Sequence, residues 1–201
     1  MGSPGGSWAA FQNHVGRIMA YGSVAETGFA LLALSLDPKP GIPILFLLFP
    51  ARALGLAVWS LSLTILKERS KSMRFSDVRG MLRTAPFAGA GMILASLSTS
   101  GLPLLAGFPA RLALWDGLAR VSPVAALWMG VGLIGLFTAS FRMLAVLSMA
   151  EEYTGWEVGE NWLQGIMLGL GVTGLFILGL FPQTVQYFLV NLPSMFEHLG
   201  R

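Results

Sequence analysis

Apolar residues fall in six long blocks separated by short polar stretches: Val15 to Leu36, Ile42 to Leu66, Ala85 to Leu102, Gly107 to Val121, Val124 to Met149 and Trp162 to Phe181. A helix crossing a bilayer needs about 20 predominantly apolar residues. Most of these blocks approach or exceed that length, so the pattern predicts an all-α membrane protein with about six transmembrane helices. The fourth block is short. With the third it covers Ala85 to Val121, close to the minimum for two crossings, so the two are expected to form a tight pair hinged on the polar stretch between them. The domain reading is a flexible lead over 1–14, a six-helix membrane domain over 15–182, and a last helix over 183–201. The lead is Gly/Ser/Pro-rich from Met1 to Trp8 and has no basic segment ahead of an apolar core, so it does not read as a cleavable signal. In the last segment Val185, Phe188, Leu189, Leu192, Phe196 and Leu199 recur at helical spacing between polar residues. That pattern predicts an amphipathic helix, interrupted at Pro193, lying along the membrane surface or against a neighbouring subunit.

The pattern is broken most sharply from Ser98 to Arg111. This stretch carries Ser98, Thr99, Ser100, Gly101, Pro103, Gly107, Pro109 and the permanent cation Arg111 inside an otherwise apolar run. Pro removes a backbone donor and Gly weakens a helix. Non-helical backbone at membrane depth survives only where it is buried in protein or lines water. The stretch therefore reads either as a buried polar break with a functional role or as a tight turn with Arg111 reaching to the headgroups.

Composition sharpens the class. Hydrophobic residues make up 54% of the 201 and charged residues 11%, against roughly 25% charged in soluble domains. There is no Cys, which excludes a disulfide framework, a thiolate-ligated metal and a Cys nucleophile. With only His14 and His198, a protein metal site is not expected. A phosphate loop, a Gly-x-Ser-x-Gly elbow and a zinc-type His pair are all missing, so no catalytic site and no bound cofactor are expected. The net charge of +3 is small and the basic residues lie beside apolar blocks, which argues against a nucleic-acid partner and for the lipid bilayer.

Low charge makes each ionisable residue within a block informative. A charge at the bilayer centre costs on the order of 2.5 to 3.5 kcal/mol on insertion scales, so such groups face the bundle interior and pair. Glu26 is the most central, flanked by Gly22, Ser23, Thr27 and Gly28, small residues that admit a close helix and water. It reads as a pathway group or as one half of a structural ion pair with an Arg. Arg52 follows Pro50 within the second block, and pairing and pathway roles are both open. Arg142 lies near the end of a long block, where it can snorkel or join a polar path. Asp116 and Arg120 are four apart on one helix face near its end and read as a local interfacial pair. Between blocks, the loop from Lys67 to Arg83 holds Lys67, Arg69, Lys71, Arg74, Arg79 and Arg83, whereas Glu151 to Asn161 holds four Glu and no Lys or Arg. Six crossings place these loops on opposite sides. The Lys/Arg rule then puts the basic loop in the cytoplasm and the acidic loop outside.

Two segments resemble a known family. Gly16-Arg17-Ile18-Met19-Ala20-Tyr21-Gly22-Ser23-Val24-Ala25-Glu26-Thr27-Gly28-Phe29 is similar to the K-R-L-L-A-Y-S-S-I-x-H-x-G-Y segment of the antiporter-like subunits of respiratory complex I. This family is shared with multisubunit cation/proton antiporters and membrane-bound hydrogenases. Leu97-Ser98-Thr99-Ser100-Gly101-Leu102-Pro103-Leu104-Leu105-Ala106-Gly107-Phe108-Pro109-Ala110-Arg111 resembles its more specific L-S-L-A-G-I-P-P-x-x-G-F-x-G-K. Phe141-Arg142 and Phe181-Pro182-Gln183 fit its later helices. The likeness runs from about Gly16 to Leu192, and within the family it is to the N-type subunit.

The resemblance implies a fold of fourteen helices containing two inverted repeats of five, of which this chain corresponds to the last six. It further implies a membrane-arm subunit of a complex I-like NADH-quinone oxidoreductase, taking part in proton translocation coupled to electron transfer in a bacterial plasma membrane or an equivalent energy-transducing membrane. Partners would be other membrane-arm subunits, including a polypeptide supplying the missing N-terminal repeat. Alternatives are a non-conducting structural or assembly subunit, or a part of a cation/proton antiporter or membrane-bound hydrogenase. Arg111 stands where the family commonly has Lys, and Glu26 where His is common; Arg52 falls near a Lys of the L-type subunit. Lys can lose a proton when desolvated, whereas Arg in practice cannot. On this reading Glu26, Arg52, Arg111 and Arg142 are candidate proton-pathway residues, and Ser98, Ser100, Gly101, Pro103, Gly107 and Pro109 form the helix break. Arg111 would steer protons as a fixed charge, and Glu26 with water would carry them. The resemblance also implies that the C-terminus and the loop after the second of the six helices lie on the extracytoplasmic face, which puts the basic loop outside, against the charge rule.

Overall fold

The structure is a computed structural model describing residues 2–36, 38–149 and 159–183. Its described part is helical: α1 (Gly2–Ala9), α2 (Val15–Leu34), α3 (Pro38–Arg69), α4 (Pro86–Ser100), α5 (Gly107–Val121), α6 (Pro123–Ser148) and α7 (Trp162–Leu180). Three stretches, Gly41–Arg69, Pro123–Ser148 and Trp162–Leu180, are long and apolar enough to cross a membrane. The six apolar blocks are thus six helices. The amphipathic segment expected over 183–201 lies, from residue 184 on, outside the described residues.

The third and fourth helices are not two crossings. Each has 15 residues, about 22 Å at 1.5 Å per residue, short of a hydrocarbon core of about 30 Å. Hydrogen bonds and packing fix where their ends lie. Val15 N–H donates to Met73 O and Phe75 N–H to Asn13 O, each at 2.9 Å, so α2 starts on the face where α3 ends. Gly80 and Leu82 donate to Val146 O and Leu147 O at 3.1 Å, which brings the end of α6 to that same face. At the far end, Gly117 of α5 packs against Leu36 and Ile44, where α2 gives way to α3. The chain therefore enters α4 at the polar-loop face, passes the break and leaves α5 at the opposite face. The described residues make five passes: α2, α3, α4 with α5, α6, and α7.

This corrects the placement of the loops. Arg69, at the end of α3, donates to Thr84 O and to Gly159 O, and Glu160 accepts from Ala88 N–H at 2.7 Å. Gly159 and Glu160 therefore meet the basic loop on one face and do not lie across the membrane from it. The opposite-side expectation failed because it counted the broken helix twice.

The N-terminal residues also depart from expectation. Gly2–Ala9 is a helix packed between α2 and α6. Gly5 lies against the Tyr21 and Ala25 backbone, and Gly6 against that of Gly132 and Gly135. Gly and Ser suggest flexibility in water because they pay backbone entropy. Inside a membrane bundle the same small residues let helix backbones approach, and packing outweighs propensity. α3 likewise continues through Pro43 and Pro50, as membrane helices can when neighbours take over the freed backbone groups. Phe29, Trp59, Met92, Leu114, Met129 and Met143 are among the large side chains buried at the centre, while Leu127, Trp128, Ile134, Trp162 and Leu170 are exposed on the outside. The outward apolar faces are what a lipid solvent allows.

Candidate functional site

The break is built by local chemistry. After Ser100 the backbone turns left-handed at Gly101 (φ 85, ψ 36), whose N–H and that of Leu102 return to Ser98 O and Leu97 O at 3.1 and 3.0 Å. Gly is suited here twice over, because any Cβ would also press on the Arg111 side chain. Leu104 takes a positive φ of 77 without that excuse, a strained conformation of the kind found where surrounding structure over-determines the chain. Pro103 lies in the connection, and Pro109 in the first turn of α5, where a missing N–H costs no helical bond. Ser96, Thr99 and Ser100 turn their hydroxyls back to Ile93, Ser96 and Leu97 carbonyls at 2.7–2.8 Å, so they are satisfied within α4. Ser98 is different: its Oγ accepts from Gly107 N–H at 3.2 Å and so ties the start of α5 to the end of α4.

That junction holds Arg111. One turn into α5 and 4% exposed, it donates through Nη1 to Ser98 O at 3.1 Å and Gly107 O at 2.9 Å, and through Nη2 to Glu26, which is also 4% exposed. Its guanidinium lies over the Phe29 ring, 5.4 Å from the centroid. Arg111 is thus not a snorkelling residue. It is the cation of a buried pair joining α2 to the broken helix. Gly107 leaves room for this, since a Cβ there would strike Ser98 O and the guanidinium itself. Phe29, three residues after Glu26 and therefore on its face, was not picked out from the sequence, although the i,i+3 spacing carries the signal.

Arg52 approaches the pair from α3. Its Nη2 donates to Thr27 Oγ1 at 3.0 Å, and with Glu26, Ala30, Leu45, Leu48 and Phe49 it lines a narrow cleft between α2 and α3 of about 10 Å³, room for a single water. Arg142 is not brought to this cluster. It sits near the polar-loop end of α6, donates to Ala10 O and Asn13 Oδ1, and lies 5.5 Å from the Phe75 ring centroid, binding the entry of α2 to the basic loop. Asp116 and Arg120 form the expected exposed pair at 3.1 Å. In the basic loop, hydrogen bonds from Ser72 and then Ser76 hold the Asp77 carboxyl below its usual range, and Arg74 and Lys71 act in the same direction. Among the described residues no cluster of His, Asp and Glu can hold a metal ion.

The site is therefore a membrane-embedded carboxylate held between one guanidinium in direct contact and a second beside it, at a helix break. Such a group can hold or pass a proton only through Glu26, since the two cations are fixed charges.

A family profile described as "NADH:quinone oxidoreductase/Mrp antiporter, TM" matches residues 4–138, a span that includes Glu26, Arg52 and the whole break. Among curated relatives, NADH-quinone oxidoreductase subunit 14 of Thermus thermophilus is 33% identical over 184 residues, covering 88% of this chain and 40% of the relative. NADH-quinone oxidoreductase subunit N of Chlorobium chlorochromatii is 29% identical over 184 residues, covering 84% of this chain and 35% of the relative. This chain spans well under half the length of either. In solved structures the fold is similar to a chain of respiratory complex I from Thermus thermophilus (TM-score 0.79, 23% identity, 89% of this chain and 38% of that one). It is similar also to a chain of the membrane-bound sulfane sulfur reductase, an archaeal respiratory membrane complex (TM-score 0.81, 17% identity, 96% and 40%). A chain of the Mrp complex from Dietzia sp. matches with a TM-score of 0.71 at 17% identity (92% and 42%). Matched by this profile over two thirds of its length, and built on the broken helix its sequence motif suggested, the chain is a multi-pass membrane protein that belongs to the NADH:quinone oxidoreductase/Mrp antiporter transmembrane family.

Proposed function

We propose that the chain is a membrane-arm subunit of a complex I-like assembly in a bacterial energy-transducing membrane, taking part in proton translocation through the Glu26–Arg111 site. The carrying observation is the buried ion pair itself, set at the break of a membrane helix and adjoined by the Arg52 cleft. Intramembrane ionisable groups are costly and are characteristic of ion and proton paths. Glu26 carries the titratable step; Arg111 and Arg52 set the potential around it. Arg142, bound to the α1–α2 connection and Phe75, would act at the polar-loop end of the path. The relatives are parts of NADH-quinone oxidoreductases, and the similar structures are multi-subunit respiratory and Mrp complexes, which supports neighbouring membrane subunits as partners. Because the chain spans 35–40% of these relatives, a polypeptide carrying the remaining repeat is part of the proposal.

The orientation adopted in this proposal has an extracytoplasmic end of α7 and, with five passes, the basic-loop face in the cytoplasm, as the Lys/Arg rule favours; it gives up the placement of that loop outside that the resemblance implied.

A second reading has its own observation. Arg111 is held by two carbonyls, a carboxylate and an aromatic face, as a structural clamp would be. Glu26→Gln separates the two readings when complex yield and proton uptake per electron are measured together in reconstituted vesicles. Normal assembly with lost uptake is the expected result. Lost assembly supports the clamp, and normal assembly with normal uptake refutes both roles for Glu26.

A further inference from the structure

α4 and α7 lie side by side and start on the same face: Gly91 packs on Leu168 and Gly165 on Phe87. Their starts are capped differently. α7 has its own capping box, in which the Asn161 side chain accepts from the backbone N–H of Gln164 and the Gln164 side chain accepts from Asn161 N–H at 3.2 Å. α4 has no side-chain cap at Ala85, and Pro86 at its first position has no N–H. The first turn is capped from 72 residues away, by Glu160 Oε1 accepting from Ala88 N–H at 2.7 Å. Glu160 immediately precedes Asn161, so one dipeptide caps two parallel helices, and its carboxylate sits at the positive ends of both dipoles. Arg69 closes the same knot by donating to Thr84 O and Gly159 O, the chain segments leading into α4 and α7. The other Glu160 oxygen is buried and has no hydrogen-bond partner among the described residues, so the Ala88 N–H is the contact that holds this carboxylate.

We propose that Glu160 is a positioning residue for the Arg111 site. It fixes the axial position of α4, a single 15-residue helix, and the far end of that helix supplies both contacts that place Arg111: Ser98 O, which accepts from Nη1, and Ser98 Oγ, which holds Gly107 N–H. Freed at its capped end, α4 shifts or frays, and the break moves with it. Glu160 thereby controls the geometry around Glu26 from the opposite end of α4. The proposal rests on the transport reading only for its consequence; the coupling is a property of the fold.

The test is amide hydrogen exchange by mass spectrometry on the purified complex in mild detergent, comparing Glu160→Ala and Glu160→Gln with the unaltered protein. Loss of a charged cap is expected to speed exchange in the first turn of α4 about tenfold. Exchange should also rise over 98–111, while α3 is unchanged, with Glu160→Gln intermediate because it keeps an acceptor and loses the charge. Faster exchange confined to the first turn of α4 would overturn the coupling, as would equal acceleration of α3 and α4 or no change. If Glu160→Ala does not assemble, Glu160→Gln is judged by the same peptides. Unaltered proton uptake in Glu26→Gln would sink the transport reading and leave this result standing, because exchange is read without reference to transport.

Discussion

A double-mutant cycle on Glu26 and Arg111 puts the strongest demand on the site. Both side chains are 4% exposed and meet in an ion pair. Arg111→Leu leaves a carboxylate buried between α2 and the broken helix, and removing one partner of a buried pair costs about 3 to 5 kcal/mol. The carbonyl of Ser98 loses one donor but keeps Gly101 N–H, so little is added from that side. Glu26→Leu leaves a guanidinium that still has Ser98 O, Gly107 O and the Phe29 ring, and its cost should fall below that of Arg111→Leu. In the double variant neither charge remains. Replacing a buried pair by packed apolar residues is often close to neutral, so the double should be less damaged than Arg111→Leu alone, with a coupling of about 3 kcal/mol or less. The measurement is unfolding of the purified chain by SDS titration in mixed micelles, with complex yield followed alongside. Additivity within about 0.5 kcal/mol would show that the two groups do not depend on each other. Arg111 would then be held by the break alone, and the pair would be a by-product of crowding.

Two further outcomes follow from the same structure. Gly101→Ala places a side chain at φ 85 and against Arg111, so it should cost about 1 to 2 kcal/mol or more in the same titration, with Gly101→Asn milder because Asn tolerates the left-handed region. In the basic loop, Asp77 has a folded value below its ordinary one, held there by Ser72 and Ser76. Its contribution to loop order is therefore complete above about pH 3.9 and lost as the pH falls towards the lower folded value. Limited proteolysis of the 70–85 loop should quicken over that acid range, and Asp77→Asn should cleave quickly at every pH.

The sequence alone carried a great deal. Six apolar blocks became six helices because, in lipid, backbone hydrogen bonds must close within a helix and block length follows from membrane thickness. The break was legible because Gly101, Pro103 and Gly107 have narrow backbone uses, and Glu26 and Arg111 stood out because charge inside an apolar block is costly. Periodicity could not tell whether the two short helices either side of Gly101 lie antiparallel or in series. That depended on contacts between distant segments, Gly117 on Leu36 and Ile44 at one end and the α4 start on Glu160 at the other, and it decided on which face Gly159 and Glu160 lie. Gly5 and Gly6 suggested flexibility because their helical role exists only against Tyr21, Gly132 and Gly135. Arg142 and Arg111 look alike in sequence, each an arginine among apolar residues of a helix. Only the fold sends one to Asn13 and Phe75 and the other to Glu26, because which charges meet is set by which helices pack, and packing is a property of the whole chain.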